Sequence, residues 1–208
     1  MRRTLEVRRT SDRLTTMSRR TVSFVEGHYY HVYNRGVNRE PIFRQLDNYI
    51  FLLRRMKEYA LKSSVAVIAY CLMPNHYHLL VRQESEPSVS EFVQAVFNSY
   101  TKAYNKSFNR SGTLFEGPYK AVQVEDDPYL LHFCRYIHRN LLDAGLVKDL
   151  DEWPYTNYLE WVGKRPGSLV DLEFVHAFFP EPGKYTQFVL EYTPPPKTVE
   201  VVHKLALD

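Results

Sequence analysis

Cysteine is nearly absent from this chain: Cys71 and Cys134 are the only two in 208 residues, and both fall inside segments patterned as regular elements. That excludes a disulfide scaffold and suits a reducing cytoplasm. Long hydrophobic runs are missing as well. No stretch approaches the roughly 20 apolar residues that a membrane-spanning helix needs, and no signal peptide with an apolar middle region is recognisable. No internal repeat is evident. The expectation is a cytoplasmic protein that does not enter a membrane. What the chain does have is 44% hydrophobic content, enough for one good-sized domain plus extensions.

Excess charge of one sign is also lacking overall, but the net +3 hides an asymmetry. Residues 1–20 carry seven arginines (Arg2, Arg3, Arg8, Arg9, Arg13, Arg19, Arg20) against Glu6 and Asp12, a balance of +5, so the remaining 188 residues sum to −2. A basic, apolar-poor arm over 1–22 is suited to a phosphate backbone. It reads equally well as a disordered leader, or as sequence ahead of a start at Met17.

The chain is organised around Met73-Pro74-Asn75-His76-Tyr77-His78-Leu79-Leu80-Val81. Val65 to Met73 has little polar content, and Pro74-Asn75 is turn chemistry, so the two flanking segments read as a β-hairpin. Strand alternation puts His76 and His78 on one face and Tyr77 on the other. Histidines at this spacing serve either as a polar face or as a pair able to hold one metal ion.

The remaining elements follow in order. Gly27 to Tyr33 reads as a first strand closed by Asn34-Arg35-Gly36. Asp47 is the expected cap of a helix carrying Tyr49, Leu52, Leu53, Met56, Tyr59 and Ala60 at helical period. Ser88-Val89-Ser90-Glu91 has the capping-box pattern and opens a long helix with Val89, Phe92, Val93, Val96, Phe97, Tyr100 and Tyr104 on its apolar face. Tyr119 to Val124 reads as a fourth strand, and Asp127-Pro128 starts a third helix that Gly145 ends. The expected fold class is α+β: a ferredoxin-like antiparallel sheet in βαββαβ order with helices on one face, the other face free for a ligand, then a further helix and an extension. The expected divisions are a basic arm at 1–22, a main domain at 23–147 and a C-terminal extension and tail at 148–208.

In the third helix, Leu130, Phe133, Cys134, Ile137 and Leu141 form the stripe that must face the core. Tyr129, His132, Tyr136 and Asn140 form a second stripe about 100° around the axis. Tyr136 and Asn140 are therefore stacked one turn apart, and docking of this helix on the open sheet face would bring both to the histidine pair. A tyrosine here is either a core residue with a satisfied hydroxyl or a presented phenol.

These residues resemble the single-tyrosine HUH endonucleases and transposases, and more closely the REP-associated tyrosine transposases. The resemblance lies in the 73–81 stretch, Asn34-Arg35-Gly36 with Pro41-Ile42-Phe43, Ser111 to Gly117, Tyr136-Ile137-His138-Arg139-Asn140 with Ala144 to Val147, and Trp153-Pro154-Tyr155-Thr156-Asn157-Tyr158. It implies that His76, His78 and Asn140 bind a divalent metal, Mg²⁺ or Mn²⁺, and that Tyr136 is the nucleophile that cleaves and rejoins single-stranded DNA through a 5′-phosphotyrosine. The implied substrate is a hairpin of REP type, and the implied enzyme a monomer or homodimer. Basic and aromatic residues that would line the DNA path are Asn34, Arg35, Arg110, Tyr119 and Lys120. Two rival readings share parts of this pattern: a non-catalytic nucleic-acid-binding sheet and a self-mobilising insertion-sequence transposase.

Overall fold

The computed structural model describes residues 22–86, 88–124 and 127–191, with backbone alone for 127–129 and 182. The basic arm up to residue 21, Met17, the side chain of Tyr129 and the tail beyond residue 191 lie outside the described residues. Four strands, β1 (Tyr29–Arg35), β2 (Val65–Met73), β3 (His76–Gln83) and β4 (Lys120–Val124), form one sheet in the order β2-β3-β1-β4, every neighbouring pair antiparallel. That is the ferredoxin-like order.

Helix α1 (Leu46–Lys62) begins one residue ahead of the expected Asp47 cap. Gln45 is the cap, and Asn48 Oδ1 reaches back to accept the Arg44 and Gln45 backbone N–H groups at 3.0 and 3.2 Å. A reciprocal Gln–Asn pair satisfies orphan donors as a capping box does, so Asp47 falls inside the first turn. Helix α2 (Val89–Ser107) starts after Ser88 as expected, but its first N–H donates to Gln83 Oε1 at 3.1 Å rather than to a serine cap. Its buried residues are the seven of the expected apolar face.

Helices α1 and α2 cover one face of the sheet, burying Tyr30, Val32, Tyr70, Leu72, Tyr77, Leu79 and Val81. The opposite face is not left open. Helix α3 (Asp127–Asp143) lies across β2 and β3, and a second core gathers there around Ile68, Cys71, Leu80, Phe133, Cys134, Ile137 and Leu141. Burial on both faces is why β2 reads as a continuous apolar run instead of an alternating one. A bulge between Val67 and Ala69 turns both Ile68 and Ala69 to the second core.

The chain beyond α3 packs on this second layer. Residues 153–161 run along the outer side of β2, where Leu72 N–H donates to Tyr155 O at 2.9 Å and Thr156 Oγ1 donates to Tyr70 O at 2.9 Å. The indoles of Trp153 and Trp161 donate to Leu72 O and Ile68 O, both at 3.0 Å. An edge strand that would otherwise present bare backbone groups is thereby capped. The short helices α4 (Tyr158–Trp161), α5 (Leu172–Phe178) and α6 (Pro182–Leu190) complete the layer, with α6 against α3.

Candidate functional site

The turn between β2 and β3 is held from outside. Pro74 O accepts from Ile42 N and Phe43 N at 2.9 and 3.0 Å, and Asn75 O accepts from Gly36 N at 2.8 Å. Gly36 is required here, because a Cβ would strike the Glu40 carbonyl oxygen. The motifs around residues 34–36 and 41–43 are therefore supports for the turn that starts the histidine strand.

From that turn β3 projects His76 and His78 onto the α3 face, their ring centroids 5.2 Å apart and nearly perpendicular. His76 donates through Nδ1 to Asn75 Oδ1 at 2.7 Å when it carries its proton there. His78 Nδ1 lies 3.0 Å from Nε2 of His31, a buried histidine of β1. Both hairpin histidines thus have Nδ1 engaged within the protein and keep Nε2 for something else. Burial lowers His76 to about 4, with Arg35 pushing the same way. His78 is held well below the usual histidine range by burial and by His31 and His76 beside it. Burial lowers His31 to about 3.

Tyr136 comes down from α3 onto this cluster. Its ring meets His78 edge-on at a centroid separation of 5.5 Å and His31 at 6.1 Å. The phenol is half-buried, and burial pushes it up to about 12, with a side-chain hydrogen bond from Asn140 pulling the other way. Asn140 sits one turn along the helix and donates through Nδ2 to Tyr136 O at 3.2 Å. The structure therefore brings His76, His78 and Tyr136 together. Among the described residues no hydrogen bond joins Asn140 to either histidine.

The donor set fits a divalent ion. Two imidazoles sharing one ion through Nε2, at metal–nitrogen distances of about 2.1 Å, have ring centroids roughly 5 Å apart, matching the 5.2 Å between His76 and His78. Outer-shell partners on the opposite nitrogens are the usual companions of metal-binding histidines. Among the described residues no group of three His, Cys, Asp or Glu side chains is arranged to hold a metal ion, His31 being turned to His78 Nδ1, so a third ligand has to be Asn140 or an oxygen from solvent or substrate.

The expected DNA contacts do not all gather at this centre: Arg110 and Tyr119 lie on the side of the first core. Lys120 is exposed beside the cluster, its Nζ 5.7 Å from the centroid of Tyr33, whose ring stacks on His31 at 4.9 Å. Arg35 pairs with Glu116 through Nε and, at 3.0 Å, through Nη2. Asn34 is committed inward: its Nδ2 donates to Gly117 O at 3.0 Å, and its Oδ1 accepts Arg35 N–H at 2.9 Å. It ties the 109–117 loop to β1. Arg110 lies over the Tyr104 ring at 5.6 Å and donates to Thr113 O at 3.4 Å, and Tyr119 is half-buried against the first core.

Two groups of residues escape the sequence reading. His31 needed the β1–β3 register, in which Tyr33 faces His78, to be placed on the histidine face. The other group is a buried polar chain behind α3: Tyr185 O–H donates to His138 Nδ1 at 2.5 Å, and His138 Nε2–H donates to Asn157 Oδ1 at 2.9 Å. Asn157 Nδ2 donates in turn to Ile68 O at 2.8 Å, while its Oδ1 also accepts Tyr70 N–H at 2.8 Å. This chain fixes α3 against β2 and α6.

Comparison with known proteins gives one family and a fold likeness. The family model described as "Transposase IS200 like" matches residues 24–140. Among solved structures, the REP-associated tyrosine transposase bound to a REP hairpin is similar at 17% identity and a TM-score of 0.61, covering 74% of this chain and 94% of that one. A structure from Deinococcus radiodurans R1 assigned as a transposase matches at 16% identity and a TM-score of 0.41, covering 58% of this chain and 96% of that one. No curated protein matches.

Proposed function

Because the chain belongs to the IS200-like transposases, a family of DNA-transposing enzymes, we propose that it cleaves and rejoins single-stranded DNA at a hairpin of REP type, with Tyr136 as nucleophile and a divalent metal held by His76, His78 and Asn140. The observation that carries this reading is the meeting of Tyr136 with His78, ring to ring at 5.5 Å, while the hydrogen bonds of both hairpin histidines within the described residues run through Nδ1 and none through Nε2. The hairpin substrate is suggested by the REP hairpin bound in the structurally similar transposase.

The chemistry needs help that the site is built to give. A phenol raised to about 12 is almost entirely protonated at neutral pH, so Tyr136 must shed its proton as it attacks. Its oxygen forms a bond to phosphorus, the bond from phosphorus to the 3′ oxygen breaks, and that oxygen gains a proton. The products are a 5′-phosphotyrosyl link and a free 3′ hydroxyl, and attack by a 3′ hydroxyl reverses the step without a nucleotide cofactor. A bound Mg²⁺ or Mn²⁺ supplies charge neutralisation at a non-bridging phosphate oxygen. Asn140 orients the phenol, and Lys120, Arg35 and Arg110 attract the backbone, with Tyr119 a stacking surface and Asn34 fixing the loop beside them. Residues 1–22, with their arginines, serve as a further backbone contact, 23–147 as the catalytic domain and 148–208 as the C-terminal extension and tail, of which 148–191 brace the domain.

The test is incubation of the protein with single-stranded hairpin DNA and Mn²⁺ or Mg²⁺, followed by a denaturing gel. A metal-dependent covalent band is expected for the wild type and none for Tyr136→Phe or His78→Ala. Binding without any covalent band under either metal would remove the catalytic reading.

A further inference from the structure

His31 is completely buried in β1, packed against Tyr33, Phe133 and Tyr136 at ring separations of 4.9, 5.3 and 6.1 Å. Its Nε2 lies 3.0 Å from His78 Nδ1, and its Nδ1 has no hydrogen-bond partner among the described residues. Two neutral imidazoles carry one N–H each, and a single proton fits in their contact, so the pair has two arrangements. In the first, His31 Nε2–H donates to His78 Nδ1. The His78 proton then sits on Nε2, where it excludes a metal, and His31 Nδ1 is a bare lone pair. In the second, His78 Nδ1–H donates to His31 Nε2. The His78 Nε2 lone pair is then open, and the His31 proton sits on Nδ1, facing no acceptor. Each arrangement holds two protons.

We propose that His31 is a positioning residue: it accepts the Nδ1 proton of His78 and so fixes Nε2 as the nitrogen offered to the metal, with metal binding driving the pair from the first arrangement to the second. The inference rests on the reading of His78 as a ligand. An orphaned buried N–H is the less favourable of the two His31 states, so the metal-free pair favours the first arrangement. The partner that usually orients a metal-binding histidine is a carboxylate or carbonyl, which only accepts and locks the ligating tautomer. An imidazole in that place can donate or accept, so the site is locked only while the ion is bound.

The experiment has two readouts besides activity. Long-range ¹H–¹⁵N spectra of the full chain are recorded without and with saturating Mg²⁺. Protonation of His78 is expected to move from Nε2 to Nδ1, and that of His31 from Nε2 to Nδ1. Unchanged tautomers with Mg²⁺ bound would overturn the proposal. Mn²⁺ affinity is then measured by calorimetry for the wild type, His31→Leu, His31→Gln and His78→Ala. His31→Leu should bind Mn²⁺ roughly 10- to 100-fold more weakly, and His31→Gln, whose carboxamide oxygen can accept, should stay within a few-fold of wild type. If His78→Ala loses the metal while His31→Leu keeps wild-type affinity, this inference fails alone. If His78→Ala binds as tightly as wild type, the metal assignment itself fails.

Discussion

Replacing Asn157 with alanine removes the centre of the polar chain that fixes the Tyr136 helix. Its Oδ1 accepts from Tyr70 N–H and His138 Nε2–H, and its Nδ2 donates to Ile68 O. Ile68 O keeps the Trp161 indole at 3.0 Å, so the carbonyl stays satisfied. Two fully buried donors are stranded. At about 1–3 kcal/mol each, the loss is about 4 kcal/mol, and for a chain of this size it lowers Tm by roughly 8–16 °C. Urea denaturation followed by circular dichroism measures it: the midpoint should fall with the slope unchanged, because the substitution leaves the exposed area on unfolding nearly the same. A loss below about 1 kcal/mol would refute the assignment of this chain as the anchor of α3 and show that packing alone holds the helix.

Two further predictions concern acid and salt. Burial holds His138 at about 4, against about 6.5 in the unfolded chain, so the unfolded state binds more protons between those values. Stability from this residue is complete above pH 6.5 and is lost as pH falls toward 4, by on the order of 3 kcal/mol. His138→Gln should make that part of the pH–stability curve shallower by one proton's share, with buried His31, His76 and His78 contributing the rest, and an unchanged slope in urea denaturation would contradict it. Lys120→Ala should weaken single-stranded DNA binding for every sequence alike and reduce the slope of log K against log salt by about 0.7, read by fluorescence anisotropy across a salt series. A slope equal to wild type would remove Lys120 from the DNA path.

Much of this architecture is legible locally. The hairpin at 65–83 follows from an apolar run, Pro74-Asn75 and a second run, and the apolar period of α2 names its buried residues one for one. What sequence patterning obscures is long-range. The expected open face is covered because α3 and the aromatics Trp153 and Trp161 need burial against β2. The unbroken apolar character of Val65–Met73 is itself the signature of a strand buried on both faces. The α1 cap lies at Gln45 and not at Asp47 because a reciprocal Gln45–Asn48 pair satisfies the N–H groups of Arg44, Gln45 and Asn48. For the candidate site, strand alternation and helical period placed His76, His78, Tyr136 and Asn140 as presented residues. His31 stayed hidden, since its meeting with His78 depends on the β1–β3 register, and Asn34, read as a DNA contact, is spent on Gly117 O.

The central claim is that Tyr136 carries the DNA. The direct measurement is mass spectrometry of the covalent adduct after nuclease trimming and trypsin digestion. Cleavage after Arg135 and Arg139 isolates Tyr136-Ile137-His138-Arg139, a four-residue peptide with a single tyrosine. The account predicts the nucleotide mass on that peptide, at Tyr136. A nucleotide on a peptide containing Tyr100 or Tyr104, both buried with their hydroxyls donating to Ile42 O and Pro41 O, would contradict it.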